Sequence, residues 1–452
     1  MLNTLVHNSS YINYFNKNDK FIYTFLVLII FSIPLHRIAF PVGSSGIEFP
    51  LIFSLMGLFY LTFVKRKKIH IPRFLQLIFL SVSLYAFLLQ LVWFSSYTVF
   101  RTFQQLIYFT FSSGMFIFII NARNYIQKRD YYKVLNWYLR IALIMIILGI
   151  VQVFWIYYFN KDIFYGWRFL AGLNPSQGLY KSAATHFSDT ISRATSFATE
   201  PSAYGFFAGI ALLYFWKNVG NIKKLILLTG FILCFSASIY FCLFITLLIT
   251  FLLKIDIKRI LLFSLLLFSF LLLFSEENPI TNRFVGLFSL YQSAGTTEVY
   301  TQELGSALNN YTAFVQAIIN FKKSFGFGVG MGGYFNQFNT NLLLSEIPAI
   351  QSMGDAKVAG FGLFYRGISE FGVMFIFINI FIFIYLIKNI RNNQTKNYAV
   401  TLLFIHIANF LRLSIYFNIS FFIFFAFLYV FNMDIKEKKL DICKRQDTYE
   451  NA

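Results

Sequence analysis

The chain has 452 residues, 58% of them hydrophobic and only 13% charged, with a formal net charge of +19 and a mean hydropathy of +0.63. That composition excludes a soluble globular domain. The basic excess does not mark a nucleic-acid binder. Lys and Arg gather in short clusters between apolar runs (Lys65-Arg66-Lys67-Lys68, Lys223-Lys224, Lys258-Arg259 and Lys436 to Arg445), the positive-inside pattern of a polytopic membrane protein.

In chain order, apolar runs at 21–40 and 47–64 predict two spans joined by the uncharged turn Pro41 to Gly46. The cluster after Val64 fixes the second exit as cytoplasmic. Spans over 74–94 and 103–121 enclose a short external turn bearing Arg101, and the basic loop Arg123 to Lys133 returns the chain inside. A fifth span runs over 134–158, where Arg140 can snorkel to the inner surface. The polar segment 159–200 is then the first large external loop, and 201–216 is the sixth span.

The run Leu225 to Leu253 reads best as a tight hairpin broken at Ser236-Ala237-Ser238, because a single span would place Lys254, Lys258 and Arg259 outside. After a span over 260–274, residues 275–361 form the second large external loop. Within it, helix-like spacing from Leu304 to Phe325 precedes the run GFGVGMGGYFN, Gly326 to Asn336. Loops this long are functional or disordered, and this one has the spacing of an ordered segment. Spans over 361–387, 399–416 and 418–433 lead to a basic tail, 434–452. The expectation is an all-α polytopic membrane protein, one integral domain over 1–452 with about 12 transmembrane helices and both termini cytoplasmic. Of the three cysteines, two lie in apolar runs and one in the tail, so no disulfide framework is implied.

The candidate site residues collect at the outer surface. Pro201 suits the first position of a helix, which places Glu200 at the cap, facing the positive end of the helix dipole, with Arg193 just upstream. One reading is a capped helix with a surface ion pair; the other is an anion-handling site. Arg193, Arg283 and Arg366 all fall near the outer surface, and arginine suits bidentate recognition of phosphate. The alternative is that they anchor the loops to anionic headgroups. Glu370 lies near Arg366 in FGLFYRGISEFG. Gly328 and Gly330 belong to a glycine run with no βαβ context, so a dinucleotide site is not expected; a turn that lets backbone approach a substrate or the membrane fits better. His406, Asn409 and Arg412 share one face of a span and either line a cavity or hydrogen-bond between helices. No DxD, HExxH or cysteine–histidine spacing is present, so no metal site and no cofactor are expected.

RATSFATEPSAYGFF, Arg193 to Phe207, resembles the R-x-x-(G/S)-x-F-x-E-P-S segment of O-antigen polymerases of the Wzy type, with its phenylalanine, Phe197, one residue early. The resemblance continues through FSAS at 235–238, the pair Arg283-Phe284, and GFGVGMGGYF ahead of Glu370-Phe371-Gly372, covering about residues 190–375. The sequence departs from the family's Arg-x10-Gly loop motif, since Gly205 and Gly295 each come one residue late. Between Ser345 and Gly372 it lacks the histidine of the ligase branch, which argues for polymerase over O-antigen ligase.

The resemblance implies a metal-independent glycosyltransferase of the bacterial inner membrane whose two long loops and active site face the periplasm. Its substrate would be oligosaccharide repeat units carried on undecaprenyl pyrophosphate. Membrane lipid, a chain-length regulator and a flippase would be its partners. Arg193, Arg283 and Arg366 would bind the diphosphate. Glu200 would orient Arg193 or take the acceptor's proton, and Glu370 is a second candidate base. The competing class is a lipid-linked oligosaccharide flippase or exporter, which tends to show internal repeats and short loops.

Overall fold

The computed structural model describes residues 19–33, 39–42, 45–66, 68–92, 96–159, 194, 201–234, 236–253, 305–331, 333–334, 363–411 and 418–450. Arg193, Glu200, Arg283 and Arg412 lie outside the described residues, as do most of both long loops and the span at 260–274.

The first helix, α1 (Lys20–Ser32), is capped by Asp19, whose carboxylate accepts from the N–H groups of Phe21 and Ile22. It is shorter than the span expected over 21–40: Pro34 follows its C-cap Ile33, and a proline cannot continue the ladder. The end of that run instead forms β1 (Ala39–Val42), paired antiparallel with β2 (Ser45–Glu48) so that Pro41 faces Gly46. The turn expected from Pro41 to Gly46 is thus a small hairpin. α2 (Phe49–Phe59) returns antiparallel to α1 and ends in a π turn, Tyr60–Val64.

α3 (Arg73–Val92) and α4 (Ser96–Ala122) follow. Arg101, expected in a turn, lies inside α4, because the helix already begins at Ser96, a residue type suited to helix starts. α5 spans Lys128–Phe159, and α6 runs Pro201–Phe215 with proline in its first turn as expected. The run 225–253 divides into α7 (Asn221–Ile232) and α8 (Ala237–Leu252), with Ser236 extended between them. α9 covers Gly305–Lys323, α10 Leu363–Arg391, α11 Lys396–Leu411 and α12 Ile419–Glu450.

One large apolar core joins α1, α2, α4, α5, α6, α7, α11 and α12. Its centre is aromatic: Phe116, Phe207, Phe404, Phe424 and Phe427 are fully buried. The outward faces are equally apolar, with Leu84, Phe87, Leu91, Phe377 and Phe381 all more than half exposed. Hydrophobic inside and out is what a bilayer solvent selects. Among the described residues, Thr102–Ala122, Asp130–Phe159 and Leu363–Arg391 are long and apolar enough to cross a membrane, and shorter apolar helices accompany them. This is a helical, membrane-embedded chain. The other spans expected from the sequence rest on those shorter helices or lie outside the described residues.

The bundle has two polar ends. At one, Lys65 pairs with Asp19 at 2.7 Å and Arg123 with Asp434 at 2.8 Å. Asn121 there both accepts from the N–H of His70 and donates to its carbonyl. Asn432, two residues before Asp434, donates to Asn389, and Thr395 donates to the Asn389 carbonyl, so the far end of α10 belongs to the same face. At the other end sit Arg366, Glu370 and the glycine run. The helical rise makes Thr102, which touches that second cluster, about 30 Å from Ala122, and Val373 about 24 Å from Asn389. Two helices therefore give much the same spacing, close to the thickness of a bilayer's hydrocarbon core.

Candidate functional site

The second polar end is built around a helix that stops and restarts. Within α10, Gly372 takes φ 56 and ψ −133, so Leu363–Phe371 and Val373–Arg391 are separate helical segments. The break frees the carbonyls of Ser369 and Glu370 and the N–H of Val373. Each finds a partner in the glycine run. Val329 N–H donates to Ser369 O at 2.9 Å, Gly330 N–H to Glu370 O at 3.0 Å, and Val373 N–H to Gly326 O at 2.9 Å. Buried backbone must be satisfied somewhere, and here two segments satisfy each other.

The glycines are there because the two backbones nearly touch. A Cβ on Gly328 would stand 2.5 Å from Glu370 O, and one on Gly372 1.9 Å from Gly326 O. The sequence expectation for Gly328 and Gly330 is a turn that brings backbone close to a substrate or the membrane. What they approach is a helix of the same chain, and their N–H groups are spent on Ser324 Oγ and on the Glu370 carbonyl.

Upstream, α9 presents Ala313, Gln316, Ala317 and Asn320 to the interior, one helical face. Gln316 donates to Asn320 Oδ1 at 2.9 Å, and Asn320 donates to Ser369 Oγ at 2.6 Å. The helix ends in a Schellman motif, with Gly326 N–H on Phe321 O and Phe325 N–H on Lys322 O. The left-handed position of that motif is held by Phe325, at φ 51. Glycine is the usual occupant, and a side chain there costs about 1–2 kcal/mol. Two apolar helices pin the turn: Tyr85 of α3 donates to the carbonyls of Phe327 and Phe371, and Thr102 of α4 to that of Met331.

Inside this frame Arg366 Nε lies 3.2 Å from Glu370 Oε1, one helical turn apart. Glu370 is fully buried and Arg366 only 7% exposed. Tyr334 is buried beside them; burial pushes its phenol up, with Arg366 pulling it down and Glu370 pushing it further up. Unmaking one half of such a pair strands a charge in a dry site. What the arrangement can do chemically is hold a guanidinium, which cannot lose its proton, in one orientation near the membrane boundary.

Of the expected site residues, Arg366, Glu370, Gly328 and Gly330 come together. Arg193 and Glu200 are outside the described residues, but Ala194 is buried and donates to Leu233 O at 2.9 Å. That contact sets Ala194 against the end of α7, where the following Cys234 packs on Gly205 near the start of α6. α6 in turn packs on α11, where Phe206 stacks on Phe404. Farther along α11, Phe410 stacks on Phe375 below the broken helix. His406 and Asn409 are both buried: His406 sits among Phe383, Phe410 and Phe421, and Asn409 accepts from Asn418. On that face Asn409 hydrogen-bonds to the start of α12, whereas His406 packs its ring between helices without a hydrogen bond at Nε2 among the described residues.

Sequence reasoning missed Tyr85, Thr102, Gln316, Asn320, Ser369 and Tyr334. Gln316 and Asn320, four apart on the small-residue face of α9, carried a readable signal. Tyr85 and Thr102 look like ordinary span residues and did not. No group of three or more metal-ligating side chains occurs among the described residues. No protein-family model, characterised protein or solved structure matches the chain.

Proposed function

We propose that this chain polymerises oligosaccharide repeat units carried on undecaprenyl pyrophosphate, at the membrane end that holds Arg366 and Glu370. The observation that supports it is the buried Arg366–Glu370 pair at an unwound helix, about one hydrocarbon thickness from the Lys65 and Arg123 end. Unwound backbone near membrane depth is tolerated only where protein surrounds it or a cavity adjoins it. With the basic clusters cytoplasmic, the pair lies on the periplasmic side of the inner membrane.

In the reaction, an acceptor hydroxyl oxygen bonds to the anomeric carbon of the growing chain. The bond from that carbon to the pyrophosphate oxygen breaks, and its electron pair leaves with the diphosphate. The hydroxyl proton passes to a carboxylate or to water. Arg366 stabilises the charge that develops on the leaving group, with Arg193 and Arg283 supplied by the two loops. Glu370, buried and paired, serves to aim Arg366, which leaves Glu200 as the candidate base.

Burial of the pair favours a second reading, in which Arg366 and Glu370 only lock the outer end of α10. Polymerisation in membranes supplied with lipid-linked repeat units separates the two. Arg366→Lys keeps a charge but loses the fork, and is expected to collapse the product ladder toward one repeat while the protein stays folded and inserted. A full-length ladder from Arg366→Lys would leave the pair as a lock and remove it from the chemistry.

A further inference from the structure

The turn that ends α9 carries two aromatic rings that the protein leaves bare. Phe325 is 91% exposed and Phe327 64%. Phe325 stands where glycine is the natural choice, so the backbone is strained to present a ring rather than to hide one. The backbone beneath it is fixed on both sides, by Val373 N–H on Gly326 O and by Tyr85 on the Phe327 carbonyl.

The neighbours say what the rings face. Val373 stands directly beside Gly326 and is itself partly exposed. It heads a strip with Phe377 and Phe381, four residues apart on one face of α10 and both more than half exposed. On the other side, Tyr85 lies on α3 between Leu84 and Phe87–Leu88, also exposed. Phe325 and Phe327 thus continue two apolar surfaces that face lipid. Their height agrees: Thr102, which holds the Met331 carbonyl of the same turn, is about 30 Å of helix from Ala122, the thickness of a hydrocarbon layer. Just before the rings, Lys322 and Lys323 close α9 and are exposed. Aromatic rings with adjacent lysines are the composition of a segment seated at a lipid–water boundary.

We infer that residues 322–327 form a re-entrant anchor, with Phe325 and Phe327 inserted at the boundary of the bilayer and Lys322 and Lys323 on its anionic headgroups. The second long loop therefore comes back to the membrane midway, beside the Arg366–Glu370 pair. The inference is independent of the chemistry proposed above.

Nitroxide labels at Phe325→Cys and Phe327→Cys test it in the full chain with Cys443→Ser, since the buried Cys234 and Cys242 are shielded. The protein is placed in phosphatidylcholine vesicles with and without phosphatidylglycerol, and collisions with oxygen and with a water-soluble nickel chelate are compared. A label at Phe381 gives the lipid reference. Both turn labels are expected to collide chiefly with oxygen, and more deeply when phosphatidylglycerol is present. Lys322→Gln with Lys323→Gln should abolish that lipid dependence. Nickel-dominated collisions overturn the inference. Labels that neither reagent reaches also overturn it, because the turn is then covered by a second copy or another protein. Depth indifferent to phosphatidylglycerol overturns it as well.

Discussion

The N–H of Val373 donates to the carbonyl of Gly326 at 2.9 Å, and through this bond the second half of α10 starts on the turn that ends α9. The relationship is possible only because Gly372, between the two halves, has no side chain: a Cβ there would stand 1.9 Å from the same oxygen. It couples a loop segment to a membrane span, and it sets where Arg366 and Glu370 are held.

Gly372→Ala is accordingly expected to destabilise the fold by about 2 kcal/mol or more, from a left-handed backbone and a backbone clash together. Gly220→Ala is the control, since its added methyl would meet nothing within 4 Å. Thermal unfolding in detergent distinguishes them: Gly220→Ala should melt near wild type and Gly372→Ala well below it. Equal melting would mean that the break in α10 is not fixed by this glycine.

The Arg366–Glu370 pair predicts a non-additive cycle. Arg366→Met or Glu370→Leu alone leaves a buried charge without its partner and should cost about 3–5 kcal/mol. The double variant removes both charges and should recover most of that loss, while polymerisation stays absent. Melting and product ladders measured on the same four proteins check both halves. Additive losses of stability would show that the two side chains do not act as a pair.

At the opposite end, Asp19 gives a pH signature. Burial alone would raise its carboxyl, but the Lys65 ammonium and the N–H groups of Ile22 and Phe21 together hold it below its ordinary value. Its stabilisation is therefore complete above the unfolded carboxyl value, about 3.9, and is lost as pH falls through the lower folded value. The same bond raises Lys65, whose contribution is complete below about 10.4 and is lost as pH climbs through its raised folded value. Asp19→Asn should flatten the acid fall in melting temperature around pH 4, and the alkaline fall should shrink with it. An unchanged acid limb would assign the acid sensitivity to other carboxylates.

Much of the helical order was legible in the sequence because it rests on local chemistry. Pro201 opens α6, the Ser236 break divides α7 from α8, and the spacing after Leu304 gives α9. Apolar composition continues past Pro34 and hides the stop of the first helix, and the polar residues around Arg101 do not reveal that the helix already begins at Ser96. The candidate site was legible only in its charges. Arg366 and Glu370, four apart, announce themselves. The glycine run does not, because what it approaches is some forty residues away in sequence. Its purpose appears only when Gly328 is seen against Glu370 O. Tyr85 and Thr102 are further still from the site they pin, and nothing in an apolar span marks a hydroxyl that reaches another segment's carbonyl.

The last prediction concerns which face is which. Arg123, Asp434, Asn389 and Asn432 hold one end of the bundle together, and the exposed residues Lys68 and Gln394 belong to that end. Lys323 lies at the other, one turn of chain from the pinned Phe327. The two ends are separated by about 30 Å along α4, enough to cross a hydrocarbon layer once. By the positive-inside rule, the basic clusters beside Lys68 and after Asp434 predict that the first end is cytoplasmic. Single cysteines at Lys68, Gln394 and Lys323, in the Cys443→Ser background, should then split cleanly under a reagent that does not cross the membrane. Intact cells should label Lys323→Cys once their outer envelope is opened, and Lys68→Cys and Gln394→Cys only after lysis. Labelling of all three from one side would mean that α4 does not cross, and the site at Arg366 would no longer have a membrane between it and the cytoplasm.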